Sequence, residues 1–228
     1  MSVQESLWRL SDLALGPCVR RISATSRVIY LTFDDGPDRM GTAPLLDLLE
    51  SLHVPATFFL VATRAQANKE LVNSILRRGH SVGNHSLDHG YKSFFQGRRR
   101  LKEWIYEAEE RLSFQIGKPT VGFRPPAGVR TPELNTALRE LNMPLVLWDQ
   151  RYFDTARQLP VRRMIEASRR MCDGSIILLH DRKSEHALPG FIAALTQYIE
   201  FTRAQGITFG KLTREATLQE VPHAQAVP

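Results

Sequence analysis

Short runs of β-branched and aromatic residues alternate along the chain with longer segments in which apolar residues recur at helical spacing. The short runs are typical of buried strands and cover residues 28–33, 56–61, 80–83, 120–123, 145–148, 175–179 and 207–209. The helical segments lie between them, at residues 42–53, 68–78, 97–114, from Thr131 onward, and at 161–172 and 188–204. This alternation predicts a parallel sheet with crossover helices. We therefore expect an α/β fold, a single domain that forms a distorted, incomplete, seven-stranded (β/α) barrel. An open doubly wound sheet is the alternative, but no Gly-rich phosphate loop follows the first strand.

The barrel pattern occupies residues 26–212, and the two ends of the chain lie outside it. Residues 1–25 form an N-terminal extension whose apolar positions predict a short amphipathic helix. Charged residues interrupt this segment and no basic leader precedes it, so it does not resemble a secretory signal. Residues 213–228 are predicted as a C-terminal tail that frays from residue 219. No run approaches the ~20 apolar residues of a membrane span, so we expect no transmembrane segment and a cytoplasmic location.

Composition narrows the choice of partners. The 228 residues include 43% hydrophobic and 24% charged side chains, which is ordinary for a globular domain. The formal net charge is +6, and arginines cluster at residues 98–100, 162–163 and 169–170. Such clusters are usually solvated helix faces, which leaves peripheral contact with a membrane or an anionic glycan open. They lack the interleaved aromatic residues of a nucleic-acid groove, so we expect no nucleic-acid partner; the oligomeric state stays open.

Polar residues follow the predicted strands at their C-terminal ends, the rim where parallel α/β barrels build their active sites. They are Asp34, Asp35, His85, Arg124, Asp149, Asp154 and His180. Asp34 and Asp35 end the first strand, and Gly-Pro then turns the chain. Adjacent residues on a strand face opposite sides, so one aspartate could hold a metal while the other faces the substrate.

Two histidines add the remaining elements of a metal site. His85 and His89 are four residues apart, a spacing that places both imidazoles on one face of a helical turn. Two imidazoles and one carboxylate provide three protein ligands and leave positions open for water or substrate, as catalytic zinc sites require. Zinc fits this ligand set best, although cobalt, manganese, nickel or iron could occupy it.

His180 and Arg124 are candidates for the chemistry itself. His180 follows an apolar strand and, as an imidazole, could act as a general acid or base near neutral pH. Arg124 precedes two prolines, which hold the backbone extended and rigid. An arginine placed there can bind a carboxylate in a two-pronged contact and keep it ionised.

Four segments occur in a specific order along the chain. They are Thr32-Phe33-Asp34-Asp35-Gly36-Pro37, His85-Ser86-x-x-His89, Arg124-Pro125-Pro126-Ala127-Gly128 and Leu178-Leu179-His180-Asp181. Together they resemble the ordered motifs of the polysaccharide deacetylase family, also called the nodulation-protein-B homology domain. The resemblance extends over about residues 28–209. It implies a distorted (β/α) barrel that removes N-acetyl, sometimes O-acetyl, groups from sugars with a divalent metal, usually zinc.

The resemblance also implies a role for each matching residue. The implied metal ligands are Asp35, His85 and His89. Asp34 would be the general base, Arg124 would orient Asp34, and His180 would be the general acid. Leu178 would line the pocket that receives the acetyl methyl group.

Two segments depart from the family pattern. Ala127 stands where the family usually has Tyr, which keeps a backbone N–H for the oxyanion but removes an aromatic wall. The family's Asp-x-x-Asp-Trp corresponds here to Arg151-Tyr152-Phe153-Asp154-Thr155. Asp154 is retained and is expected to raise the pKa of His180 by charge pairing. Trp148 or Tyr152 could replace the missing wall of the substrate pocket.

The sequence therefore predicts a metal-dependent hydrolase that removes N-acetyl groups from a sugar of an oligosaccharide, polysaccharide or glycan precursor. A related hydrolase of another non-peptide C–N bond is one alternative, which the complete ligand triad disfavours. A catalytically altered or inactive glycan-binding barrel is another, motivated by Ala127, Arg151 and Thr155. The paired base and acid, Asp34 and His180, disfavour it, because a binding protein needs neither.

Overall fold

The computed structural model describes residues 3–24, 26–155, 158–169 and 173–221. Within these ranges the strands are Val28–Asp34 (β1), Thr57–Leu60 (β2), Ser81–Asn84 (β3), Gln150–Arg151 (β4), Ile176–His180 (β5) and Thr208–Gly210 (β6). They form one sheet in the order β3-β2-β1-β5-β4, and β6 pairs with the start of β1. Every strand pair is parallel, as the alternation of elements predicts.

Helices cover the connections between the strands. They are Val3–Leu15 (α1), Thr42–Ser51 (α2), Ala62–Ala67 (α3), Lys69–Arg77 (α4), Arg98–Ile116 (α5), Pro132–Glu140 (α6), Val161–Ser168 (α7), Leu188–Ala204 (α8) and Arg214–Glu220 (α9). Local chemistry sets several ends. The hydroxyl of Thr131 accepts a hydrogen bond from the Leu134 N–H at the start of α6, and Gly117 ends α5 in the left-handed conformation. The end of the helix predicted at 161–172 lies outside the described residues from residue 170 on.

Two of the predicted strands are present only as isolated bridges. Parallel bridges join Asn84 to Phe123 and Phe123 to Leu145, so residues 120–123 and 145–148 extend the sheet without forming ladders. A proline, which lacks the N–H that a continuing ladder needs, directly precedes each segment (Pro119 and Pro144), and Gly122 has φ +145°. The resulting parallel-sheet α/β fold is consistent with a distorted, incomplete (β/α) barrel.

The core lies between the sheet and its helices. β1 runs through the middle of the sheet, and Leu31 and Phe33 on it are fully buried against α2, β2 and α8 residues of one large apolar cluster. A second cluster lies between α5 and α6 and contains Phe123. From Leu31 to Asp34 every residue of β1 is buried, on both faces of the sheet, which explains why apolar residues predominate in this strand.

The two ends of the chain pack on the barrel. α1 is the expected N-terminal helix, and its Asp12 forms ion pairs with Arg20 and Arg130. The C-terminal tail predicted at 213–228 is corrected, because α9 occupies its first part. Thr213 caps α9, and the buried hydroxyl of Thr217 donates to the Val121 carbonyl. Apolar contacts and side-chain hydrogen bonds to carbonyl oxygens of the barrel thus outweigh the polar composition. Residues 222–228 lie outside the described part. None of the helices described is both long and apolar enough to cross a membrane.

Candidate metal and catalytic site

The polar residues predicted at the strand ends meet at one edge of the sheet. Asp34 ends β1 directly opposite His180, which ends β5, and His85 follows the last residue of β3. The carboxyl ends of parallel strands share one edge, so residues far apart in sequence are brought together there. The site is therefore a consequence of the sheet order.

Asp35, His85 and His89 form a cluster with the donor set of a metal site. Their ligand atoms lie within 4.8 Å of one another. The Oδ1 atom of Asp35 is 3.0 Å from His89 Nε2 and 3.5 Å from His85 Nε2. His85 Nδ1 is 2.8 Å from the Arg124 carbonyl oxygen, a contact that orients the ring and turns Nε2 toward Asp35. These three residues fit a divalent cation.

The two histidines lie on a loop, which corrects the expected helical turn. Ser86 and His89 have φ values of +84° and +63°, so the backbone reverses instead of continuing as a helix. Side chains stabilise this reversal: the Ser86 N–H donates to Asn84 Oδ1 at 2.9 Å, and the His89 N–H donates to Ser86 Oγ at 3.0 Å. The loop brings both imidazoles to one side by a different geometry from the one that the spacing suggested.

The adjacent aspartates diverge as expected of neighbouring residues at a strand end. Asp35 has φ +79° and turns toward the histidines, whereas Asp34 stays in β1 and points at Arg124. Burial opposes ionisation of Asp35, but hydrogen bonds with His85 and His89 and the charges of His85 and His180 outweigh it and hold its pKa well below the ordinary value. Asp35 is therefore ionised, as a metal ligand must be.

Arg124 holds Asp34 from inside the protein. Its guanidinium is fully buried and donates to Asp34 Oδ1 at 2.7 Å and to Thr32 Oγ1 at 2.7 Å. It also donates to the carbonyl oxygens of Val146 and Leu147, and it lies 3.9 Å from the centre of the Phe59 ring. A buried cation with this many acceptors cannot rotate away, so Asp34 has a fixed position and a compensating charge.

His180 is held by a second charged network. His180 Nδ1 is 2.8 Å from Asp154 Oδ1, and Asp154 Oδ2 accepts from the His180 N–H at 3.0 Å. Burial lowers the pKa of His180, but the Asp154 carboxylate outweighs it, and the net effect raises the pKa above its ordinary value. Burial also opposes ionisation of Asp154, whereas His180 and Lys183 together lower its pKa.

Lys183 is a residue of this network that sequence reasoning missed. Its buried ammonium donates to Asp154 Oδ2 at 2.6 Å and to the Asp154 carbonyl at 2.8 Å. It also lies 4.3 Å from the centre of the Phe191 ring. A lysine in a loop is usually predicted to be solvent-exposed. Only its position three residues after His180 could have indicated that Lys183 belongs to the site.

A pocket of about 180 Å³ opens beside His180. The residues lining it are Ala127, Trp148, Arg151, Phe153, Asp154, Thr155, Leu178 and His180. Three of the predicted pocket residues therefore lie there, namely Ala127, Trp148 and Leu178. Ala127 has φ +53°, which follows the turn imposed by the two prolines before it.

Tyr152 is corrected as a pocket residue. Its side chain is 5% exposed and belongs to the large apolar core cluster instead of the pocket. Its neighbours Arg151 and Phe153 line the pocket, and the backbone at Phe153 is left-handed instead of continuing as an extended segment. Phe153, 51% exposed with φ +55°, supplies the aromatic surface that sequence reasoning assigned to Tyr152.

Comparison with known proteins places this arrangement in a family. The profile of the family described as polysaccharide deacetylase matches residues 21–146. A Bacillus cereus protein named peptidoglycan-N-acetylglucosamine deacetylase is 31% identical over 188 residues, covering 80% of this chain and 85% of that protein. A Sinorhizobium fredii chitooligosaccharide deacetylase is 33% identical over 156 residues, covering 67% of this chain and 71% of that protein. The solved structure of the peptidoglycan N-acetylglucosamine deacetylase Bc1960 has a TM-score of 0.75 at 28% identity, covering 85% and 90% of the two chains.

Proposed function

The chain belongs to the polysaccharide deacetylase family, and from this premise we propose that it hydrolyses the N-acetyl group of a sugar unit in an oligosaccharide, polysaccharide or glycan precursor. The observation that carries the proposal is that two neighbouring strands end in a carboxylate, the proposed base, and an imidazole, the proposed acid. Asp34 is held by a buried arginine, and His180 is held by a buried carboxylate, on neighbouring strands beside the Asp35–His85–His89 cluster. Hydrolysis of an amide requires a base for the water and an acid for the amine.

A divalent metal, most consistent with zinc, is the cofactor that we propose. The residues that would hold it are Asp35, His85 and His89, a set that cobalt, manganese, nickel or iron also accept. When bound, the ion would polarise the acetyl carbonyl and lower the pKa of water.

The remaining steps are assigned to side chains of this chain. Asp34 accepts a proton from water as the water oxygen bonds to the acetyl carbon, and the hydrogen bond from Arg124 holds Asp34 in position. The C–N bond then breaks as His180 donates its proton to the nitrogen, which leaves acetate and a free amine. Asp154 favours the protonated form of His180 that this step needs.

Different residues of the pocket would contact different parts of the substrate. Leu178 would contact the acetyl methyl group, and the backbone N–H of Ala127 would stabilise the developing oxyanion. Trp148 would contact the sugar ring. An inactive binding barrel or a hydrolase of another C–N bond remains the competing interpretation, and the expected cytoplasmic location stays a prediction.

The proposal is tested by measuring metal content and acetate release on the same preparations. Purified wild-type protein should contain about one zinc or similar ion per chain and release acetate from chitooligosaccharides or peptidoglycan glycan strands. His85→Ala should lose both the ion and the activity, because it removes one of three ligands. His186→Ala is the matched control, since His186 is exposed and outside the site, and it should retain both.

Two outcomes would contradict the proposal. Metal binding with no acetate released from any N-acetylated glycan would support the metal site but contradict the proposed deacetylation. Absence of metal and of activity after zinc or cobalt is added would favour the inactive barrel.

A further inference from the structure

The pocket contains a cationic side chain, that of Arg151, whose strand lies at the edge of the sheet opposite β3, the strand that precedes His85. Arg151 is in β4, paired in register with Leu178 of β5, and its side chain lines the pocket together with His180. Its side chain is exposed, so the guanidinium is accessible to a ligand that enters the pocket. An arginine here places a full positive charge next to the group that we propose as the general acid.

Aromatic rings hold this guanidinium in place. Its central carbon is 3.9 Å from the centre of the Phe153 ring and 5.9 Å from the centre of the Trp148 ring. Stacking on the face of a ring restrains the guanidinium plane and uses none of its N–H donors. The N–H donors at the edge of the Arg151 guanidinium are therefore available for hydrogen bonds with a bound ligand.

No carboxylate in the described part of the chain neutralises Arg151. Asp154 lines the same pocket, but both of its carboxylate oxygens are engaged by His180 and Lys183. The other arginine of the site, Arg124, is neutralised by an ion pair with Asp34. Arg151 is thus a cation restrained by two rings in a binding pocket, and its N–H donors have no hydrogen-bond partner among the described residues.

We propose that Arg151 recognises a carboxylate on the glycan, on the acetylated sugar or on the sugar next to it. This inference rests on the proposed function and names its substrate class: an N-acetylated glycan that carries carboxylates. A planar carboxylate matches the two parallel N–H donors of a guanidinium. One guanidinium also balances one negative charge, which favours a carboxylate over the more highly charged phosphate monoester.

The first test compares two substrates that differ only in charge. An oligosaccharide of alternating N-acetylglucosamine and glucuronic acid is assayed beside its methyl ester, in which every carboxylate is neutral. Wild-type kcat/KM should be about tenfold higher for the acid than for the ester at low salt, and the ratio should fall toward one at high salt. Arg151→Gln should bring the ratio close to one, and Arg151→Lys should keep part of it, since lysine retains the charge without the fork.

Arg169→Gln is the matched control for this experiment. Arg169 is also exposed and stacked on a ring, 5.6 Å from the centre of Phe201, but it lies outside the pocket. It should leave the acid-to-ester ratio at the wild-type value. Equal kcat/KM for acid and ester in the wild type, or an unchanged ratio in Arg151→Gln, would overturn the inference.

A binding measurement separates this inference from the proposed function. Calorimetric titration of the wild type with the acid and with the ester reports recognition whether or not acetate is released. Tighter binding of the acid that disappears in Arg151→Gln, without any acetate release, would support the carboxylate site and contradict the deacetylase proposal. Equal binding of the two ligands, or no binding of either, would overturn the carboxylate site itself.

Discussion

The two halves of the candidate site are built differently. On the metal side, Asp34 and Arg124 are buried, and each is held by partners from separate segments. On the pocket side, Arg151 and Phe153 are exposed and contact mainly one another. A buried charged group can be changed only at a large cost in stability, whereas an exposed one can be exchanged almost freely. Substitutions on the pocket side should therefore cost far less stability than substitutions on the metal side.

The largest expected effect falls on the buried half and concerns Asp34. Asp34→Asn keeps the size and the hydrogen bond to Arg124 but removes the base, so kcat should fall by on the order of 10²–10⁴-fold. Metal content should stay near the wild-type value because Asp34 is not one of the proposed ligands. Asp35→Asn, by contrast, should lower metal content. A loss of metal in Asp34→Asn would show that the two aspartates have been assigned the wrong roles.

The two arginines of the site give the sharpest comparison of stability. Arg124→Met leaves the buried Asp34 carboxylate without its cation and should lower the free energy of unfolding by about 3–5 kcal/mol. Arg151→Gln changes an exposed side chain and should alter it by no more than about 0.5 kcal/mol. Urea denaturation of both variants measures the difference. Similar values for the two would remove the distinction between the halves.

The pH dependence of activity should depend on Asp154, which lies between the halves. Asp154 raises the pKa of His180, so His180 stays protonated, and able to act as an acid, to a higher pH than an isolated imidazole. In Asp154→Asn the burial of His180 is no longer opposed by that carboxylate, so the pKa of His180 falls. The alkaline limb of the kcat/KM profile should then move to lower pH. Activity at pH 8 should drop by on the order of 10²-fold. An alkaline limb that stays in place would exclude His180 as the acid under the influence of Asp154.

A smaller effect is expected from Asp181, a fully buried acid behind the metal side. Burial raises its pKa from 3.8 to about 7, while Thr42 donates a hydrogen bond to one oxygen at 2.6 Å and partly opposes the shift. A carboxyl whose folded-state pKa is raised binds its proton more tightly in the folded chain. Its contribution to stability is therefore greatest below pH 4 and is lost as pH rises toward 7 and above.

Asp181→Asn should remove this pH-dependent loss. The amide cannot ionise and still accepts from Thr42, so the variant should be more stable than the wild type by roughly 1–3 kcal/mol at pH 8. At pH 4 the two proteins should be nearly equal. Thermal unfolding across this pH range measures the difference, and a variant equally or less stable at pH 8 would contradict the assignment.

The smallest effect belongs to the pocket wall. Phe153→Ala removes the ring under the Arg151 guanidinium and should lower the preference for an acidic glycan about two- to fivefold. The free energy of unfolding should change little because the ring is half exposed. A change in stability larger than that of Asp181→Asn would place Phe153 with the structural residues.

The metal side could be predicted from sequence because strand ends are predictable. An apolar run that ends in charged residues marks the edge of a parallel sheet, and this places Asp34, Asp35 and His180 together without knowledge of their contacts. The position of Arg124 followed from the rigid Pro-Pro segment after it. The loop that carries His85 and His89 did not follow, because its left-handed residues Ser86 and His89 depend on hydrogen bonds to the side chains of Asn84 and Ser86, respectively.

The pocket side was less predictable, since tertiary contacts decide which residues face it. Whether Tyr152 or Phe153 faces the pocket depends on the left-handed backbone at Phe153, beyond the end of β4, and the sequence does not mark that conformation. The position of Lys183 depends on a buried partner, Asp154, 29 residues away in sequence. Helix α9 was likewise missed because its stability comes from contacts with the barrel.

Arg124 also ties the order of folding to the onset of activity. Its acceptors include Thr32 and Asp34, about 90 positions earlier, and the Leu147 carbonyl further along, while its own carbonyl holds the His85 imidazole. These contacts close large loops, so they form only when most of the chain has assembled. A nascent or locally opened molecule would hold neither its base nor its first histidine ligand in place. Catalytic activity would then appear in a single step when the sheet is complete, and the enzyme would be inactive until it is fully folded.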